Sequence, residues 1–182
     1  MGIVDGRIVM PSLPDGRVLD VVTVPADVLS SPCIDVDPTD PAVVQLAADL
    51  LVTQRVSPGC VGLAANQVGV GWRVFSLDVS THPKARTTHG EYVLVNARVE
   101  SASRNEKSRE GCMSVPDFTG DVKRASRIAV RGFLPGTGEE VLVETDAFEA
   151  RALQHELDHL DGFVFLDRVV GPHAVFARKT YL

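Results

Sequence analysis

The sequence predicts one α+β domain in which antiparallel strands wrap around a central helix. Three observations lead there. A helix-periodic segment comes early, several segments of period two follow, and a second helical segment near the end carries two histidines four residues apart. Helix, strands, then helix is not the alternation that builds a parallel βαβ sheet. The 182 residues suit a single domain over 1–182. At that length roughly 70% of the unfolded surface can be buried, so a core forms without disulfide staples.

Taken in order, residues 1–20 carry Gly, Pro and Asp at short intervals and read as an irregular N-terminal extension. Asp40-Pro41 places a capping side chain before a proline at the first helical position. Val43, Leu46, Ala47, Leu50 and Leu51 then recur at helical spacing, until Ser57-Pro58-Gly59 stops the helix. Segments 74–79, 92–99, 127–133 and 140–145 alternate or are rich in β-branched residues and read as strands. Pro135-Gly136-Thr137-Gly138 joins the last two as a hairpin. A helix over 148–160 closes at Gly162, and 163–166 reads as a strand before a tail with Arg178 and Lys179.

Composition narrows the partners. Eighteen basic and 24 acidic residues give a net charge of −6 without clustered Lys and Arg, which argues against direct DNA or RNA binding. No stretch approaches the ~18 to 20 apolar residues of a membrane span, and the first residues lack the basic start and apolar run of a signal peptide. The expectation is a cytoplasmic protein away from membranes. Three cysteines (Cys33, Cys60, Cys112) are too few for a disulfide framework. If one matters chemically, it matters as a thiolate.

Gln154-His155-Glu156-Leu157-Asp158-His159 contains an HExxH pattern. Four residues advance a helix by about 400°, so His155 and His159 project to one side, one turn apart, where a single cation can take both imidazoles. Leu153, Leu157 and Leu160 occupy another sector, so this helix is central. Two histidines leave a tetrahedral site incomplete. Downstream candidates for a third ligand are Asp161, Asp167 and His173; upstream stands Cys112, beside Gly111 in Glu110-Gly111-Cys112-Met113-Ser114.

Three segments taken together, CVGLAANQ (60–67), EGCMS (110–114) and HELDH (155–159), resemble the ordered motifs GxGxAAxQ, EGCxS and HExDH of the peptide deformylase family. Similar flanks extend the resemblance from Val21 to Gly162. It implies that Cys112, His155 and His159 bind one divalent metal ion, Fe2+ first, with Zn2+, Ni2+ or Co2+ acceptable to the same ligands. It implies Glu156 as general acid and base, and the Gln67 amide and Met113 backbone N–H as oxyanion donors. Gly62, Leu63 and Arg124 would contact substrate. The implied reaction removes the formyl group from the N-terminal methionine of nascent peptides, with transient contact to the ribosome, by a monomer. A related metallo-amidase with another N-formyl or peptide substrate is the alternative enzyme reading. A non-catalytic metal-binding protein is the other alternative, which Glu156 and Gln67 argue against.

The chain departs from the family pattern at three places. Cys60 replaces the first glycine, Asn66 replaces a common proline, and Thr119 stands where many bacterial members carry an arginine that helps hold the peptide. Lys123 is a nearby cation that could replace that arginine.

Overall fold

The computed structural model describes residues 2–179. Strands β1 (Ile3–Val4) and β2 (Arg7–Ile8) form a small hairpin, followed by helix α1 (Pro41–Val56). Next come β3 (Gly62–Ala64), β4 (Val74–Leu77), β5 (Tyr92–Ser103), β6 (Glu106–Cys112), β7 (Val115–Arg124), β8 (Arg127–Phe133) and β9 (Glu140–Asp146). Helix α2 (Ala147–Leu160) and β10 (Val175–Ala177) complete the chain. The α1 cap forms as the sequence predicts: Asp40 Oδ1 accepts the Ala42 N–H at 2.8 Å, with Pro41 leading the helix.

Five strands pair antiparallel in the order β3-β4-β5-β8-β9, and three in the order β10-β7-β6. Alternation along β5 divides the core. Val93 and Val95 pack with Val43, Leu46, Leu50 and Leu51 of α1, whereas Tyr92 and Leu94 pack with Leu153, Leu157 and Leu160 of α2. Each fully buried leucine or valine in these layers contributes about 1.5–3 kcal/mol over its exposed state. On its other side α2 meets the three-stranded sheet, where Arg151 donates to the carbonyls of Val122 at 3.2 Å and Glu106 at 2.8 Å. Helix α2 therefore lies between two antiparallel sheets, the α+β arrangement that the sequence predicts.

Four features differ from the sequence expectation. The sequence does not predict strands β6 and β7, because Glu-Lys-Ser-Arg-Glu-Gly-Cys has no apolar alternation and β7 contains Pro116 and Gly120. Strands β3 and β10, of three residues each, are too short to show a period. Segment 163–166 is not a strand. Asp167 accepts the Val164 N–H at 2.9 Å and pulls Phe165–Arg168 into a 3-10 turn that buries Phe165 alone. The N-terminal segment after β2 has no regular structure yet is tied down at every few residues. Arg17 N–H donates to Asp49 Oδ1 at 2.8 Å, Leu19 N–H to Thr53 Oγ1 at 2.9 Å, and Val22 N–H to the Gln67 carbonyl at 2.7 Å. No helix among the described residues is long and apolar enough to cross a membrane.

Gly162 ends α2 as expected, with φ +84°. Its N–H donates to the His159 carbonyl at 3.0 Å, and the Phe163 N–H to Asp158 at 2.9 Å. A Cβ at this position would sit 3.0 Å from the Ser30 carbonyl. Gly162→Ala should therefore lower stability by at least about 1–2 kcal/mol, the left-handed penalty alone. Urea denaturation followed by circular dichroism checks this; an unchanged midpoint would contradict it.

Candidate metal centre

Helix α2 supplies His155 and His159, and the end of β6 supplies Cys112. A register shift between Gly111 and Cys112 turns the cysteine out of the ladder and toward the helix. Potential ligand atoms of Cys112, His155 and His159 all lie within 4.8 Å of one another. Cys112 Sγ is 3.3 Å from His159 Nε2, and the two imidazole rings meet edge-on at 4.9 Å. Burial would raise the Cys112 thiol, but the charges and hydrogen bonds of His159 and His155 outweigh it and hold it well below the ordinary thiol range. A buried thiolate with two convergent imidazoles, His159 buried and His155 half-buried, is a donor set that fits a divalent transition metal and leaves a fourth position for a water or substrate. The downstream alternatives lie elsewhere. Asp161 pairs with Arg73 at 2.6 Å, Asp167 caps its own turn, and His173 is exposed.

A chain of ion pairs orients the centre from behind. Glu110 faces His155 Nδ1 at 3.6 Å, so the opposite ring nitrogen is left for an ion. Arg124 grips Glu110 with Nε at 2.6 Å and Nη2 at 2.9 Å, and extends Nη1 to Asp158 at 2.8 Å. Burial would raise the Glu110 carboxyl, but the His155 and Arg124 bonds bring it down to about 2. Arg124 is thus placed beneath the ligands rather than in the cleft, contrary to the expectation of substrate contact. The residue is 6% exposed and its guanidinium is already committed to two carboxylates.

Above the ligands, Gln67 sits in a 3-10 turn (Ala65–Val68) and is 2% exposed. Its Oε1 accepts the Ala64 N–H at 3.0 Å, which aims Nε2 at Cys112 Sγ (3.3 Å) and Ser114 Oγ (3.2 Å). Glu156 points into the same site; Oε2 is buried with no hydrogen-bond partner among the described residues. Burial pushes its carboxyl up to about 7 against the opposing pull of His155 and His159, with Cys112 adding to the rise. Gly62 forms the wall behind it: a Cβ there would lie 2.7 Å from Glu156 Oε1. Leu63, expected at the substrate, is instead fully buried among the α1 residues.

The centre opens into a cleft of about 400 Å³ bounded by Pro58–Gly62 on one side and Gly111, Met113 and Thr119 on the other. His82 and Phe148 stack at 3.6 Å on its rim. The departures at 60 and 66 find local roles. Cys60 donates to the Gly62 carbonyl at 3.1 Å, and burial beside Glu156 pushes its thiol to about 12, so it stays protonated. Asn66 Nδ2 donates to the His159 carbonyl at 2.5 Å, which ties the Gln67 turn to α2. Lys123 does not line the cleft; Arg178, from the C-terminal segment, does. Sequence reasoning missed Glu110 as the His155 partner, although a carboxylate two residues before a candidate thiolate ligand was a readable signal.

The comparisons with known proteins agree with this geometry. A family model described as polypeptide deformylase matches residues 18–174. A peptide deformylase of Syntrophobacter fumaroxidans is 38% identical over 152 residues, covering 84% of this chain and 86% of that protein. A peptide deformylase of Aquifex aeolicus is 37% identical over 164 residues, covering 90% and 95%. Among solved structures, a Met-Ala-Ser-bound class I type b peptide deformylase of Acinetobacter baumannii is 31% identical, with a TM-score of 0.76 over 85% of this chain and 99% of that one.

Cys112→Ala should abolish stoichiometric metal binding, because two imidazoles hold an ion weakly. Glu110→Gln keeps all three ligands and should weaken affinity by roughly 10–100-fold through the loosened His155. His173→Ala should change nothing. Metal titration against a competing chelator measures all three; full metal retention in Cys112→Ala would remove Cys112 from the ligand set.

Proposed function

We propose a mechanism from the premise that this chain belongs to the peptide deformylase family. The protein is a metal-dependent hydrolase that removes the N-formyl group from the N-terminal methionine of nascent polypeptides and releases formate. The observation that carries the mechanism is the convergence of Cys112, His155 and His159 within 4.8 Å, with Glu156 and Gln67 in the same buried site.

Cys112, His155 and His159 would hold one divalent ion. When bound, the ion polarises the formyl carbonyl and acidifies a water. Gln67 Nε2 presents its hydrogens to Cys112 Sγ and Ser114 Oγ, and a developing oxyanion beside the sulfur exchanges for one of these acceptors. Such a donor is worth roughly 2.7–4 kcal/mol in the transition state. The Met113 backbone N–H, adjoining Cys112 at the cleft, is the second donor in this reading. Glu156, with a carboxyl near neutrality, accepts the water proton and returns it to the departing methionine nitrogen. The apolar wall beside Gly62 receives the methionine side chain.

Ferrous iron is the ion we assign, on the thiolate and imidazole donor set and the family resemblance; zinc, nickel or cobalt fit the same donors. Nascent chains at the ribosome are the substrate, met transiently by a cytoplasmic monomer. Protein prepared anaerobically and loaded with defined metals, assayed for formate release from formyl-Met-Ala-Ser, tests the activity and ranks the ions.

Glu156→Gln preserves shape but cannot take a proton. It should retain metal and lose turnover by about 10² or more. Steady-state formate release with metal content measured in parallel decides this; near-normal kcat would assign the proton to another group.

A further inference from the structure

Strand β10 pairs with β7, setting Phe176 opposite Thr119 and Ala177 opposite Phe118, and the Arg178 N–H continues the ladder to the Asp117 carbonyl at 2.9 Å. Thr119 is also opposite Gly111 on β6. Because side chains two apart along a strand share a face, Arg178 lies on the same face as Phe176, Thr119 and Gly111, the face toward the cleft. The structure bears this out: Arg178 lines the cleft, and a side chain built on Gly111 would run into its guanidinium. Gly111 immediately precedes the ligand Cys112.

The cations of this wall are not equivalent. Arg109 is engaged, with Nε 2.7 Å from Asp121 and its guanidinium 3.7 Å from the Phe176 ring centre. Arg151 is spent on Val122, Glu106 and Glu110. The Arg178 guanidinium has no carboxylate or carbonyl partner among the described residues. A half-buried guanidinium keeps five donors and a fixed charge, and it seeks oxygen acceptors from whatever enters the cleft.

We propose that Arg178 is the peptide anchor of this enzyme, binding a main-chain carbonyl oxygen of the substrate downstream of the formyl-methionine. The inference rests on the deformylase reading above. It accounts for threonine at 119, since a large side chain there would compete for the space that Arg178 uses from the neighbouring strand. Arg178 acts on binding and takes no part in proton transfer, so it is separable from Gln67 and Glu156.

The test compares wild type, Arg178→Gln and Arg178→Lys on two substrates, C-terminally amidated formyl-Met-Ala-Ser and formyl-methionine amide. Amidation removes the terminal carboxylate, leaving only carbonyl acceptors. For the tripeptide, Arg178→Gln should raise KM roughly tenfold with kcat within twofold, as expected for a lost charge-assisted hydrogen bond present in ground and transition states alike. Arg178→Lys should recover part of that loss. For formyl-methionine amide, which lacks the downstream carbonyls, KM should not move. Calorimetric titration of amidated Met-Ala-Ser should show the same loss of affinity without turnover. An unchanged tripeptide KM, or an equal rise on both substrates, would overturn the assignment. Wild-type protein that binds metal but releases no formate from either substrate would instead overturn the function on which it rests.

Discussion

Burying the Glu110 carboxylate is the constraint around which the rest of the structure is organised. A carboxylate on a residue only 8% exposed is tolerable only if cations surround it, and two elements provide three of them: Arg124 from the end of β7, Arg151 from α2, and His155 from the next turn of α2. The Arg151 and His155 contacts cross from the β6–β7 hairpin to the helix, and Arg124, bonded to Glu110 across the hairpin, reaches α2 at Asp158. The hairpin therefore cannot slide along α2 without exposing a buried charge, and the cysteine two residues on cannot move relative to the histidines. Removing one partner of such a pair typically costs about 3–5 kcal/mol, because the others remain buried and uncompensated. The stiffness that holds the ligands together thus comes from electrostatics behind the site.

What could be read from the sequence follows from how local each signal was. The α1 segment, the strands β4, β5, β8 and β9, and the α2 segment carry their own periodicity, and the caps at Asp40 and Gly162 are chemistry that one or two residues specify. The ligand triad was visible because HExxH is a helical spacing and the family motifs supplied the cysteine. Elements stabilised from outside were not legible. Strand β6 is polar on both faces because one face holds the ion pairs under the site and the other is exposed, so no alternation betrays it. Arg124 could be placed by resemblance but not by role, since only the fold shows that its three bonds are spent on Glu110 and Asp158. Arg178 gave no signal at all, because its position depends on β10 reaching β7 across more than fifty residues of chain.

The departures from the family pattern also show how a substitution is absorbed. Cysteine at 60 adds a thiol within reach of a metal site, which would be a hazard were it ionised; burial near Glu156 keeps its proton on and directs it to the Gly62 carbonyl. Asparagine at 66 exchanges the rigidity of proline for a bond to the His159 carbonyl, so the turn is fixed through its neighbour instead of its own ring. In both cases the substituted side chain bonds a backbone carbonyl and not a ligand or donor atom of the site.

The strap that follows β2 has a consequence for how the molecule breathes. Between Val22 and Val24 it donates first to the Gln67 carbonyl and then to the Ser114 carbonyl, at 2.7 and 2.9 Å, so two residues of irregular chain bridge the loops on either side of the ligand cysteine. Neither loop can open while the strap is seated, and the strap cannot lift without freeing both. They form one cooperative unit of local unfolding. Any ion held below adds its binding free energy to that unit, so amide exchange at Val22 and Val24 becomes a reporter of occupancy from outside the cleft, slowing as metal is bound and quickening as it is withdrawn.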